Sequence, residues 1–151
     1  EAEKSSCHLL SLGSNDQWGF EKDAIELMPH CHTHTFDCTL ADKMPKKKPN
    51  SANVHFYPYC ISSRSYTDNF GREYLTYAEI WEKTGATTAP ALAKIDIEGF
   101  EFEIFPQMMK DAAAGRTVLP EQIMVELHFM TRMWAISWNL RSITAAEIML
   151  L

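Results

Sequence analysis

Leu92-Ala93-Lys94-Ile95-Asp96-Ile97-Glu98-Gly99 is the stretch on which the fold turns. It is short and apolar except at Lys94 and at the acidic positions near its end, and it leads into a helical pattern from Phe100 to Ala114. A nearly continuous apolar run of this length suits a strand, Leu92 to Ile97, buried on both faces, and such strands belong to parallel sheets covered by helices. Glu98-Gly99 makes the turn. Gly115, having no Cβ, suits the left-handed backbone that closes a helix. Pro106 is expected to bend that helix or to mark a delayed start.

Outward from this unit the same strand-then-helix order recurs. His8 to Leu12 runs into Gly13-Ser14-Asn15-Asp16, and a helix over about Gln17 to Met28 follows, with Phe20, Ala24, Ile25 and Met28 on one face. Thr33 to Phe36, closing on Asp37, and Val54 to Tyr57 read as the second and third strands, and Ile123 to Leu127, followed by His128, as the fifth. The polar segments Ala41 to Asn53 and Ser62 to Arg72 read as a surface loop and a mobile excursion. Thr76 and Glu79 form a capping box ahead of a helix with Tyr77, Ile80 and Trp81 on its apolar face. Helical patterns also cover about Arg132 to Leu140 and Ala145 to Leu151, the last behind a second capping box of Thr144 with Glu147. Met133, Trp134 and Trp138 read as core. The alternation predicts an α/β fold, a doubly wound and mainly parallel sheet, in one domain over residues 1–151.

Composition narrows the functional classes. The net charge of −6 argues against non-specific nucleic-acid binding, which requires a basic surface. Lys46-Lys47-Lys48, bracketed by prolines, reads as a solvated loop. No apolar run approaches the roughly 20 residues of a membrane span. Four cysteines are too scattered for a disulfide-dense scaffold. Cys7 and Cys31 nonetheless precede neighbouring strands and could reach disulfide range, the alternative being two buried thiols; a bridge would place the chain in a secretory or lumenal compartment. His30, His32 and His34 flank Cys31 without the paired spacing of a structural zinc site, and read as solvated or core-edge histidines.

In open parallel sheets ligands bind beyond the carboxyl ends of the strands. The residues to inspect are therefore Gly13 to Asp16, Asp37, Cys60 to Ser62, Asp96 with Glu98, and Glu126 with His128. Gly13 lets the backbone approach a ligand, and the small residues after it offer N–H groups. Asp37 lies 24 positions further on, near the roughly 20 expected of an acid that binds an adenosine ribose. Gly13 is followed by Ser14-Asn15-Asp16-Gln17-Trp18, so the second and third glycines of a dinucleotide fingerprint are missing. That disfavours a nicotinamide-dependent dehydrogenase; S-adenosylmethionine carries no pyrophosphate and needs no such glycines.

Four motifs then carry a family resemblance over nearly the whole chain. Leu10-Ser11-Leu12-Gly13-Ser14-Asn15 with Phe20-Glu21, Thr35-Phe36-Asp37, Lys94-Ile95-Asp96-Ile97-Glu98-Gly99 and Val125-Glu126-Leu127-His128-Phe129 resemble the methyltransferase-like 24 group and, more distantly, FkbM-type methyltransferases. The resemblance implies a Rossmann-like methyltransferase core that binds S-adenosylmethionine. It also implies that Gly13, Ser14 and Asn15 hold the cofactor's amino-acid end, that Asp37 holds the ribose, and that Cys60, Ile61 and Ser62 lie near the adenine. Such enzymes continue past the fifth strand into an antiparallel strand pair, which this chain is expected to lack. Asp96, Glu98 and His128 are the candidate catalytic residues, positioning an acceptor or acting as base. With Glu126 the same residues offer oxygen and imidazole ligands to a divalent cation, although their placement at a helix N-terminus explains the acids equally, and no metal is assigned. Lys94 reads as an edge-of-sheet or loop contact. The acceptor is unidentified, and a methyltransferase fold that has lost turnover and serves as a binding module is the alternative.

Overall fold

A computed structural model of the chain describes residues 7–40 and 45–128. The helical readings over 132–140 and 145–151, the core reading of Met133, Trp134 and Trp138, and the expected lack of a strand pair lie outside the described residues.

The elements follow the alternation. They are β1 (His8–Leu12), α1 (Gly19–Leu27), β2 (His32–Phe36), β3 (Val54–Tyr57), β4 (Cys60–Ile61), β5 (Tyr66–Thr67), β6 (Glu73–Leu75), α2 (Tyr77–Thr84), β7 (Leu92–Ile95), α3 (Glu101–Ala113) and β8 (Ile123–Val125). Five of the strands form one sheet in the order β3-β2-β1-β7-β8. Each neighbouring pair in it is parallel, with Leu12 beside Phe36 on one side and Ile95 on the other. The chain winds outward from β1 through β2 and β3, then crosses back to β7 and winds the other way. The strand order therefore reverses between β1 and β7, and their carboxyl ends diverge into a crevice.

Both faces of the sheet are covered, as the sequence pattern requires. Leu10, Leu12, Phe36, Ala93 and Ile95 pack under Tyr77 and Ile80 of α2 and Ile104 and Met108 of α3. On the opposite face Leu9 packs with Ala24 of α1 and Cys31. Burying each such aliphatic side chain contributes about 1.5–3 kcal/mol. α2 begins at the expected capping box, with the Thr76 hydroxyl and the Glu79 carboxylate each accepting the other's backbone N–H. Pro106 lies within α3, which starts at Glu101, so the proline does not delay the helix.

Three expectations need correction. The strands β7 and β8 end at Ile95 and Val125, two residues earlier than the apolar runs suggest. Asp96 N–H still donates to Leu12 O and Glu126 N–H to Ile95 O, so the chain stays alongside the sheet while leaving regular pairing. The segment from Ser62 to Arg72 is not simply an excursion, because it holds β5, which joins the flanking β4 and β6 in a second sheet of order β4-β6-β5. Asp68 builds its turn: its carboxylate accepts from the N–H groups of Phe70 and Arg72 and pairs with the Arg72 guanidinium at 2.6 Å. Tyr66 stacks on Tyr74 across the strands, with ring centroids 4.5 Å apart.

The third correction concerns cysteine. Cys7–Cys31 forms as expected at the amino ends of β1 and β2, but Cys38–Cys60 is a second disulfide that the sequence reading did not find. It ties the residue after Asp37 to β4. Among the described residues no helix is long and apolar enough to cross a membrane.

Candidate functional site

A cavity of about 670 Å³ opens where β1 and β7 diverge. Its floor is the turn after β1. Gly13 has φ +78°, and a Cβ built there would lie 1.8 Å from the carbonyl oxygen of Asp96. Only glycine lets these two backbones touch. Asn15 and Asp16 follow with φ of 45° and 55°, left-handed values that asparagine and aspartate tolerate better than other side chains do.

Asp37 is what holds the turn. One carboxylate oxygen accepts from Ser14 N–H at 2.9 Å, Asn15 N–H at 2.6 Å and the Ser14 hydroxyl at 3.3 Å. The other accepts from Thr39 N–H at 2.7 Å and the Thr39 hydroxyl at 2.6 Å. Asp37 is only 4% exposed, and its carboxylate organises the loop that lines the cavity. It acts on the crevice through Ser14 and Asn15, a role that spacing alone did not suggest.

Lys94 stands on β7 between β1 and β8, which is the interior of the sheet and not its edge. Its Nζ donates to the carbonyl of Gly13 and pairs with Asp96 Oδ2 at 3.0 Å, stitching the two sides of the crevice together. The loop contact expected of Lys94 is therefore present.

Of the residues singled out from sequence, Gly13, Ser14, Asn15, Asp37, Cys60, Ile61, Asp96 and Glu98 line this one cavity. Ser62 does not; it is buried with its N–H donated to Leu75 O at 2.9 Å. His128 lies outside the lining but beside it. Its Nδ1 is 2.9 Å from Glu101 Oε1, and its Nε2 faces Asp96 at 3.5 Å, Glu126 at 3.6 Å and Glu98 at 4.0 Å. The hydrogen bond to Glu101, reinforced by the charges of Glu101, Glu98 and Asp96, raises the His128 pKa above the usual imidazole value.

Sequence reading did not mark four contributors as site residues. Glu21 is 1% exposed, lines the cavity and accepts from the Thr35 hydroxyl at 2.8 Å. Its signal was an acid one turn before Ala24 on the buried stripe of α1. Glu101 is fully buried and accepts from Ile97 N–H and Gly99 N–H, both at 3.0 Å. Tyr74, on β6 of the unexpected second sheet, and Arg72, just before that strand, supply an aromatic and cationic wall.

The histidines form a separate group at the amino ends of the strands. His8 pairs with His34 at 3.0 Å and His32 with His55 at 3.1 Å, beside a second cavity of about 470 Å³. Burial and the neighbouring imidazoles lower the His34 pKa to about 3. Cys7 and Cys31 lie near His30, but both sulfurs are in the disulfide and offer no thiolate.

A family model described as a methyltransferase domain matches residues 1–144. No curated protein and no solved structure matches the chain.

Proposed function

Because the chain belongs to this methyltransferase-domain family, we propose that it binds S-adenosylmethionine in the crevice between β1 and β7 and transfers its methyl group to an acceptor oxygen or nitrogen. The observation that carries the reading is the contact of Gly13 with the Asp96 backbone. It sets a glycine turn and an acidic strand end on opposite lips of one cavity at the point where strand order reverses. The closer likeness to the methyltransferase-like 24 group rests on the four motifs, three of which meet at this cavity.

The cofactor, when bound, supplies an electrophilic methyl on a sulfonium sulfur. The turn from Gly13 to Asn15, held by Asp37, shapes the floor for its amino-acid and ribose portions. Glu21 brings a buried carboxylate suited to the ammonium group, and Cys60 with Ile61 forms an apolar wall for the adenine. Asp96 and Glu98 lie on the opposite lip and orient the acceptor so that its lone pair meets the methyl carbon in line with the breaking carbon–sulfur bond. Glu98 or His128 takes the acceptor's proton. Two disulfides persist only in oxidising surroundings, which supports a secretory or lumenal location.

The test is a transfer assay with methyl-labelled cofactor and a panel of hydroxyl and amine acceptors, run beside a binding titration. Label transfer that Glu98→Gln lowers supports the enzyme. Saturable cofactor binding without transfer to any acceptor supports the binding-module alternative.

A further inference from the structure

We infer that Asp96, Glu126 and His128 form a divalent-cation site of the Mn2+ type on the acceptor side of the crevice. The inference rests on the proposed methyltransferase reading for its use, but not for its existence. One ligand atom from each of the three residues lies within 4.8 Å of the others. They come from the carboxyl ends of adjacent parallel strands, Asp96 after β7 and both Glu126 and His128 after β8.

His128 separates this arrangement from a patch of surface acids. Its Nδ1 hydrogen is held by Glu101, a carboxylate with 0% exposure that two backbone N–H groups fix in place. That bond fixes the hydrogen on Nδ1, which leaves Nε2 as the nitrogen that would give up its proton to take a cation. A buried carboxylate behind an imidazole is the outer-shell support that metal-bound histidines use. Nε2 faces carboxylate oxygens of Asp96 at 3.5 Å and Glu126 at 3.6 Å, longer than direct hydrogen bonds. Two carboxylates and an imidazole nitrogen converging within 4.8 Å leave a place for a cation. Asp96 is divided to suit, since Oδ2 takes Lys94 at 3.0 Å while Oδ1 turns toward His128.

Two carboxylates with one imidazole suit a cation that accepts both oxygen and nitrogen, which favours Mn2+ over Ca2+ or Mg2+. Its place beside Asp96 puts the remaining coordination positions at the acceptor end of the cavity. A chelating acceptor, with two neighbouring oxygens, is the class it would orient. With the ion bound, His128 serves as ligand and proton acceptance passes to Glu98.

The test uses the oxidised chain and MnCl2 alone. Loss of the free-ion Mn2+ resonance signal measures binding, and paramagnetic broadening of the His128 ring signals reports nitrogen ligation. Glu126→Gln changes an exposed side chain and should fold normally; Glu26→Gln, an exposed acid on α1, controls for general charge. Expected is one saturable site that Glu126→Gln weakens about tenfold or more and Glu26→Gln leaves unchanged. Absence of saturable binding, equal effects of the two variants, or unbroadened His128 signals would overturn the site. Titrating S-adenosylmethionine into the same chain in chelator keeps the two claims apart: cofactor binding without Mn2+ binding sinks the ion site alone, and the reverse sinks the cofactor alone.

Discussion

Replacing Gly13 by alanine probes the contact on which the crevice depends. The new Cβ would lie 1.8 Å from the Asp96 carbonyl oxygen and 2.9 Å from its carbonyl carbon, both backbone atoms that cannot rotate away. The φ of +78° adds backbone strain, about 1–2 kcal/mol for a residue with a Cβ. Forcing a methyl into filled space adds about 1–3 kcal/mol, so Gly13→Ala should cost about 2–5 kcal/mol. At about 2–4 °C per kcal/mol for a chain of this size, a mid-range loss of about 3 kcal/mol lowers Tm by about 6–12 °C. Gly85→Ala is the matched control: its φ is +70°, but nothing lies within 4 Å of the added Cβ. It should show the backbone cost alone. Thermal melts of both variants, followed by circular dichroism, separate strain from close approach. Equal melting temperatures would refute the reasoning, because they would mean that β1 and the Asp96 turn do not touch.

Other outcomes follow from the same structure. Removing Cys38–Cys60 with paired alanines should cost about 3 kcal/mol by loop entropy and also weaken cofactor binding, because Cys60 lines the cavity. Removing Cys7–Cys31 should cost a similar amount, about 3 kcal/mol, with cofactor affinity retained; titrations that show equal affinity losses would count against the placement of the adenine. His34 is held neutral when folded, its pKa lowered to about 3 by burial and by its histidine neighbours. The unfolded chain therefore binds more protons below the ordinary imidazole value. Stability should fall as pH drops from about 6.5 toward 3, by up to about 1.4 kcal/mol per unit. Urea midpoints at pH 7.5 and 5.0 check this, and His34→Gln should flatten the dependence; an unchanged slope would contradict it. Glu21→Gln should preserve the Thr35 hydrogen bond and the fold while weakening cofactor binding, read by calorimetry against unaltered melting.

The main sheet was legible because each of its strands carries its own signal. Leu92 to Ile95 is an apolar run broken only by Lys94, β1 ends in a glycine turn and β2 closes on Asp37. The crevice followed from topology, and eight of the ten residues marked from sequence as cofactor-binding or catalytic line it. What spacing could not show was direction of use. Asp37 lines the cavity where spacing put it, and its oxygens also accept from Ser14, Asn15 and Thr39. A side chain's partners depend on loop geometry that no periodicity encodes. The second sheet was hidden because β5 is two residues long and its turn is made by Asp68, a polar residue indistinguishable in sequence from any loop acid. Glu21 and Glu101 were hidden for the opposite reason: helix-terminal acids are ordinarily solvated, and only burial marks these two.

The central claim is that the crevice takes S-adenosylmethionine, and calorimetric titration of the oxidised chain with that cofactor tests it most directly. Asp37→Asn, checked for folding by circular dichroism, is titrated beside it, since the variant weakens the anchor of the Ser14–Asn15 turn without removing its shape. The account predicts one saturable site in the native chain and an affinity at least about tenfold lower in the variant, as expected when an anchor charge-assisted hydrogen bond is lost. A folded native chain that gives no saturable heat would contradict it.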